Sequence, residues 1–120
     1  MVILVTGRPG AGKTHYAHAL VREYGKRGIP ASVLDGDEVR AETDNRNFTD
    51  DGRERHLITM AEMASQYEKH GVVAIISAVA PKRAWRDKMR SLWRASMLVY
   101  IPGGTLWEGT KYEVPSDDEF

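Results

Sequence analysis

The sequence predicts one α/β domain, a parallel sheet of about four strands with helices on both faces. Three observations lead there. Four short apolar runs rich in β-branched residues recur along the chain, and the first three gaps between them each carry helical periodicity. Strand–helix–strand repetition within one sheet requires parallel strands joined by right-handed crossovers. A chain of 120 residues has room for one core and not two.

Residues 2–6 (VILVT) read as a short buried strand, continuously apolar and stopped by Gly7. Residues 12–26 place Tyr16, Ala17, Leu20, Val21 and Tyr24 at helical spacing, and Gly25 and Gly28 bracket the end. Residues 31–35 (ASVLD) form the second strand, closed by Asp35-Gly36. Residues 41–47 are polar and read as loop. Thr49 is the N-cap candidate of a long helix over 50–70, with Asp50 and Asp51 suited to the positive end of its dipole. Its apolar face is Leu57, Met60, Ala61, Ala64 and Tyr67. Residues 72–79 (VVAIISAV) predict a central strand, and Pro81 can open a helix with Trp85, Met89, Leu92 and Trp93 on one face. Residues 97–101 make the fourth strand. Residues 102–115 are turn-rich without a helical period, and 116–120 (SDDEF) predict a frayed acidic tail.

Composition narrows the function classes. Seventeen basic and seventeen acidic side chains cancel, which disfavours a nucleic-acid coat or a polybasic membrane binder but leaves room for a local anion site. Without cysteine there is no disulfide framework, thiolate zinc site or cysteine nucleophile, and this fits the cytoplasm. The longest apolar run, 72–81, is far short of the roughly 20 residues of a membrane helix. No charged segment precedes the first apolar run, so no secretory leader is expected. Neither His15/His18 nor His56/His70 shows metal-ligand spacing with acidic neighbours, and His15 and His18 read as structural.

Gly7-Arg8-Pro9-Gly10-Ala11-Gly12-Lys13-Thr14 satisfies G-x-x-x-x-G-K-[ST] and falls after a strand and at the start of a helix, where such a loop must lie. Glycines let backbone amides turn around an anion, and the helix terminus adds its dipole. Lys13 is placed for the β- and γ-phosphates, and the Thr14 hydroxyl for Mg²⁺. The motif makes the fold P-loop NTPase-type and ATP the expected cofactor. Leu34-Asp35-Gly36-Asp37, followed by Arg40, lies at the carboxyl end of a neighbouring strand, where open α/β sheets bind ligands. Two readings stand there. Asp-Gly is a turn with Asp37 capping a short helix, or the carboxylates serve Mg²⁺ and a substrate hydroxyl.

GRPGAGKT, LDGDEVR, FTDDGR and APKRAWRDKMR, in that order, closely resemble the adenylylsulfate kinase family. The blocks run from residue 2 to about 90, with a weaker echo in Tyr112-Glu113-Val114-Pro115. The resemblance implies phosphorylation of the 3′-hydroxyl of adenosine 5′-phosphosulfate, with ATP and Mg²⁺. It assigns Lys13, Asp35 and Asp37 to catalysis and Thr14 and Asp35 to the metal. It gives Asp37, Arg40, Phe48, Arg53, His56, Pro81 and Arg83 to the acceptor, with Phe48 stacking on adenine and Arg40 and Arg53 holding its anionic group. Arg86 and Arg90 continue the acceptor-side segment. His56 stands where the family has Asn, Ile58 and Thr59 replace an arginine pair, and Ala80 replaces a serine. The family's long basic lid after the fourth strand has no counterpart of similar length here.

Read without the family, Arg83, Arg86, Arg90 and Arg94 form a basic helix face that is ordinarily solvated, and Trp85 and Trp93 are core. Arg83, at the helix start, is the arginine expected to reach the ligand. Residues 102–115 are expected to fold over the crevice as a reduced lid with Trp107 near the nucleotide; the alternative is that a second copy of the chain covers the exposed apolar surface. Two functional alternatives remain. The acceptor is another nucleotide, a modified base, a nucleic-acid end or an antibiotic hydroxyl, or the chain binds nucleotide without turnover.

Overall fold

The computed structural model describes residues 1–43, 45–105 and 109–120. The chain runs β1 (Val2–Thr6), α1 (Lys13–Lys26), β2 (Ala31–Asp35), α2 (Gly36–Glu42), α3 (Asp50–Lys69), β3 (Val73–Ser77), α4 (Arg83–Arg90), β4 (Ser96–Tyr100) and a 3₁₀ turn (Asp117–Glu119). The four strands form one parallel sheet in the order β2-β3-β1-β4. Both β3 and β1 are inner strands, as continuous apolar runs require.

Side-chain alternation builds a core on each face. Val2 and Leu4 of β1, with Ala74 and Ile76 of β3, pack against Leu57, Met60, Ala61 and Ala64 of α3 and against Trp85, Met89 and Trp93. The intervening Ile3, Val5, Val73 and Ile75 face α1 through Ala17, Leu20, Val21 and Tyr24. Trp93 is buried and donates its indole N–H to the Ala61 carbonyl at 2.9 Å, so its polar edge is satisfied. Among the described residues no helix is long and apolar enough to cross a membrane.

Four local expectations are corrected. The polar stretch predicted as loop begins inside α2, and the helix cap is Asp35 rather than Asp37. Asp35 has extended backbone and accepts from the amides of Asp37 and Glu38 at 2.9 and 3.3 Å. Helix α4 starts at Arg83, after Pro81. The Pro81 carbonyl accepts from the Glu113 amide at 2.6 Å and the first helical acceptor is Lys82. Residues 116–119 are not frayed: Ser116 and Glu119 form a capping box, and Glu119 is buried against α4. The sequence shows the acidic run but not the buried arginine that receives it.

Candidate functional site

A cleft of about 530 Å³ opens at the carboxyl ends of the strands. Its lining brings together Pro9, Gly10, Gly12, Lys13, Thr14, Asp35, Asp37, Arg40, Phe48, Arg53, His56 and Pro81, all singled out from the sequence. Gly7, Arg8 and Ala11 belong to the loop but lie outside this lining.

The loop geometry follows from its glycines. A Cβ on Gly7 would meet the Ile101 carbonyl oxygen at 2.6 Å, so the loop can leave β1 beside β4 only without a side chain there. Gly12 caps α1 in the left-handed region at φ 101° and carries no side chain to occupy the first-turn amides. Those amides face the cleft with the positive end of the helix dipole. The Lys13 ammonium donates to the Arg8 carbonyl at 2.9 Å. Burial lowers its pKa from the usual lysine value, against the opposing pull of Asp37 and Asp35.

Strand register sets the oxygen cluster at the cleft floor. Asp35 lies beside Ser77 in the β2–β3 ladder. The Thr14 hydroxyl donates to Asp35 Oδ2 at 2.8 Å and lies 3.1 Å from the Ser77 hydroxyl. Three hard oxygen donors therefore converge where the phosphate loop meets β2 and β3, a donor set suited to Mg²⁺. Both Asp35 oxygens are engaged, one by the α2 amides and the other by Thr14. Asp37, on the first turn of α2, lines the cleft and its carboxylate makes no hydrogen bond among the described residues.

The opposite wall is cationic and aromatic. The Arg40 guanidinium lies 4.7 Å from the centroid of the exposed Phe48 ring. Arg53 donates to the Thr110 hydroxyl at 3.1 Å. His56 is buried beneath, its Nε2 3.0 Å from the Gly36 carbonyl. Burial and then the Arg40 charge push its pKa from 6.5 down to about 4, so the ring is neutral near pH 7 and its Nε2–H donates to Gly36.

Arg83 is not at the cleft. It donates to Asp118 and Ser116 of the tail, and the hydrogen bond to Asp118, with that carboxylate's charge behind it, holds its pKa above the usual arginine value against partial burial. Nor is the arginine face solvated throughout: Arg94, past the end of α4, is exposed and Arg83 part-exposed, but the middle of the face turns inward. Arg86 is fully buried, donating twice to the Glu119 carboxylate at 2.9 and 3.1 Å, and Arg90 reaches the same carboxylate at 3.0 Å. Burial alone would raise the Glu119 carboxyl; the arginine bonds and charges outweigh it and hold its pKa below the usual value. Of the predicted acceptor segment, only Pro81 lines the cleft.

Sequence reasoning missed Ser77, whose only signal was its place at the carboxyl end of an inner strand. It also missed His15, read as structural but lining the cleft directly after Thr14. Residues 102–105 and 109–115 form neither strand nor helix, and none lines the cleft. Trp107, expected near the nucleotide, lies outside the described residues.

A family model described as adenylylsulphate kinase matches residues 1–104. A protein of Archaeoglobus fulgidus named "Probable adenylyl-sulfate kinase" is 40% identical over 90 residues, covering 74% of this chain and 58% of that protein. The chain thus spans less than two thirds of that relative's length. A solved hexameric APS kinase from Thiobacillus denitrificans superposes with a TM-score of 0.78 at 28% identity, over 95% of this chain and 23% of that one. The Mycobacterium tuberculosis APS kinase CysC, solved with AMPPNP and APS, superposes with a TM-score of 0.79 at 24% identity, over 84% and 61% of the two chains. At that identity the likeness speaks for the fold.

Proposed function

The chain belongs to the adenylylsulphate kinase family, and from that premise we propose that it transfers the γ-phosphoryl group of ATP to the 3′-hydroxyl of adenosine 5′-phosphosulfate. The observation that carries the reading is the meeting, in one cleft, of a complete phosphate loop with a wall made of Arg40, Phe48, Arg53 and Pro81. The amides of residues 7–14 and the Lys13 ammonium hold the phosphates and offset charge that develops in transfer. Thr14, Asp35 and Ser77 would hold Mg²⁺, directly or through water. When bound, the ion would supply neutralisation of the charge that develops on the transferring phosphoryl group.

The two carboxylates divide the remaining work. Asp35 is tied to the helix cap and to Thr14, so it suits the metal; Asp37, whose carboxylate makes no hydrogen bond among the described residues, suits the acceptor hydroxyl as base. On the acceptor side, the Phe48 ring offers a stacking face for adenine and Arg40 and Arg53 offer positive charge for the phosphosulfate. A reaction that draws on ATP and Mg²⁺ is in keeping with the cytoplasm, the compartment proposed for the chain.

The test is transfer of label from [γ-³²P]ATP across a panel of hydroxyl acceptors. Asp37→Asn is expected to lose transfer while still binding ATP, and Asp35→Asn to raise the Mg²⁺ requirement. Labelling of another nucleotide or of a nucleic-acid end, with none on adenosine 5′-phosphosulfate, would replace the acceptor. ATP binding with no transfer to any acceptor would leave a nucleotide-binding module.

A further inference from the structure

Three consecutive residues of the cleft wall, Val79, Ala80 and Pro81, lie between β3 and α4, and each of their carbonyls is bonded from a different part of the chain. The Val79 carbonyl accepts from the Thr6 hydroxyl at 2.5 Å. The Ala80 carbonyl accepts from Arg86 Nη1 at 2.7 Å. The Pro81 carbonyl accepts from the Glu113 amide at 2.6 Å. Ala80 has a φ of 45°, in the left-handed region, a conformation that an L-residue keeps only when its surroundings hold it there.

All three grips run back to the C-terminal segment. The Thr6 hydroxyl also bonds the buried Tyr112 hydroxyl at 2.8 Å. The Glu113 carbonyl accepts from Arg86 Nη2 at 2.9 Å, and its carboxylate accepts from the Arg83 amide at 3.0 Å. Glu119 fixes Arg86 through both carboxylate oxygens. The Tyr112 ring continues toward the phosphate loop, stacked on Tyr100 with centroids 6.1 Å apart and facing the Arg8 guanidinium at 5.2 Å.

We infer that residues 112–119 are a strap that shapes the acceptor wall, with Arg86, Tyr112 and Glu119 as positioning residues for the acceptor. None of the three lines the cleft; each acts through the backbone of Val79, Ala80 and Pro81, which do. The strap grips the acceptor wall through three backbone carbonyls and meets the phosphate loop only through the Tyr112 ring at the Arg8 side chain, so its loss changes acceptor recognition more than ATP binding. This consequence rests on the kinase reading above; the structural part does not.

The test uses the full chain in two variants. Glu119→Gln removes the charge that fixes Arg86, and Tyr112→Phe removes only the hydroxyl on Thr6 while keeping the ring stack. Hydrogen exchange needs no substrate. The amides of Glu113 and Arg83 are expected to exchange about tenfold faster in Glu119→Gln, with those of β1 unchanged. In steady-state kinetics the KM for adenosine 5′-phosphosulfate is expected to rise about tenfold in Glu119→Gln and about threefold in Tyr112→Phe, with the KM for ATP within twofold. Unchanged exchange at Glu113 and Arg83, or equal acceleration throughout β1, overturns the strap. So does an equal rise in both KM values. If the wild-type chain transfers no phosphate, the kinase reading falls and the exchange result alone decides the strap.

Discussion

The two sides of the cleft are built in opposite ways. The phosphate side is one contiguous stretch, residues 7–14, whose shape follows from its own glycines and from the helix it opens. The acceptor side is assembled from distant pieces: Thr6 meets Val79 across 73 positions of sequence, and Arg86 meets Glu119 across 33. A local motif states its geometry in its own residues. An assembled wall depends on partners that no short window of sequence contains, so variants on the two sides are expected to fail differently.

The largest effect is expected on the assembled side. Arg86→Ala removes two of the hydrogen bonds to the buried Glu119 carboxylate, leaving it to Arg90 and the Ser116 amide, and frees the Ala80 and Glu113 carbonyls. Breaking a buried pair from one side costs roughly 3–5 kcal/mol of folding stability. Denaturant melts of wild type and variant check this; a loss under 1 kcal/mol would mean that the pair carries little. On the local side the fold should be indifferent and the chemistry should not. Lys13→Ala is expected to keep the wild-type melting temperature and lose roughly 3 kcal/mol of transition-state stabilisation, a rate drop of two orders of magnitude or more. Wild-type turnover in that variant would contradict the phosphate-loop mechanism.

Smaller effects sharpen the contrast. Phe48→Ala and Arg53→Ala are expected to weaken acceptor binding by about 1–2 kcal/mol each, with ATP affinity nearly unchanged; calorimetry with each ligand separates the two. The smallest is a pH effect. His56 has a folded pKa of about 4 against an ordinary 6.5, so between those values the unfolded chain binds more protons. The His56 contribution is present above pH 6.5 and is lost as pH falls toward 4. His56→Asn is expected to flatten the stability profile between those values, and an unchanged slope in urea melts would show that His56 does not titrate this way.

Much of the fold was legible because parallel strands declare themselves as unbroken apolar runs; the structure has the four strands and the three connecting helices that the sequence predicts, with α2 running into the stretch predicted as loop. The phosphate loop was legible for the reason already given. Arg83, Arg86 and Arg90 were misread because their spacing is that of a solvated face; the acidic groups that draw them inward or aside lie some thirty residues away in a tail that itself reads as frayed. Asp35 was read as an active-site carboxylate without its second duty as helix cap, since capping by the last residue of a strand needs the strand's end to be known. Ser77 was passed over because a lone serine ending an apolar strand carries no motif.

The most direct measurement of the central claim is phosphate transfer from [γ-³²P]ATP to adenosine 5′-phosphosulfate by the wild-type chain, with and without Mg²⁺. The account predicts label on the 3′-oxygen of the acceptor, dependent on Mg²⁺ and abolished in both Lys13→Ala and Asp37→Asn. Saturable ATP binding with no label on that acceptor would contradict it.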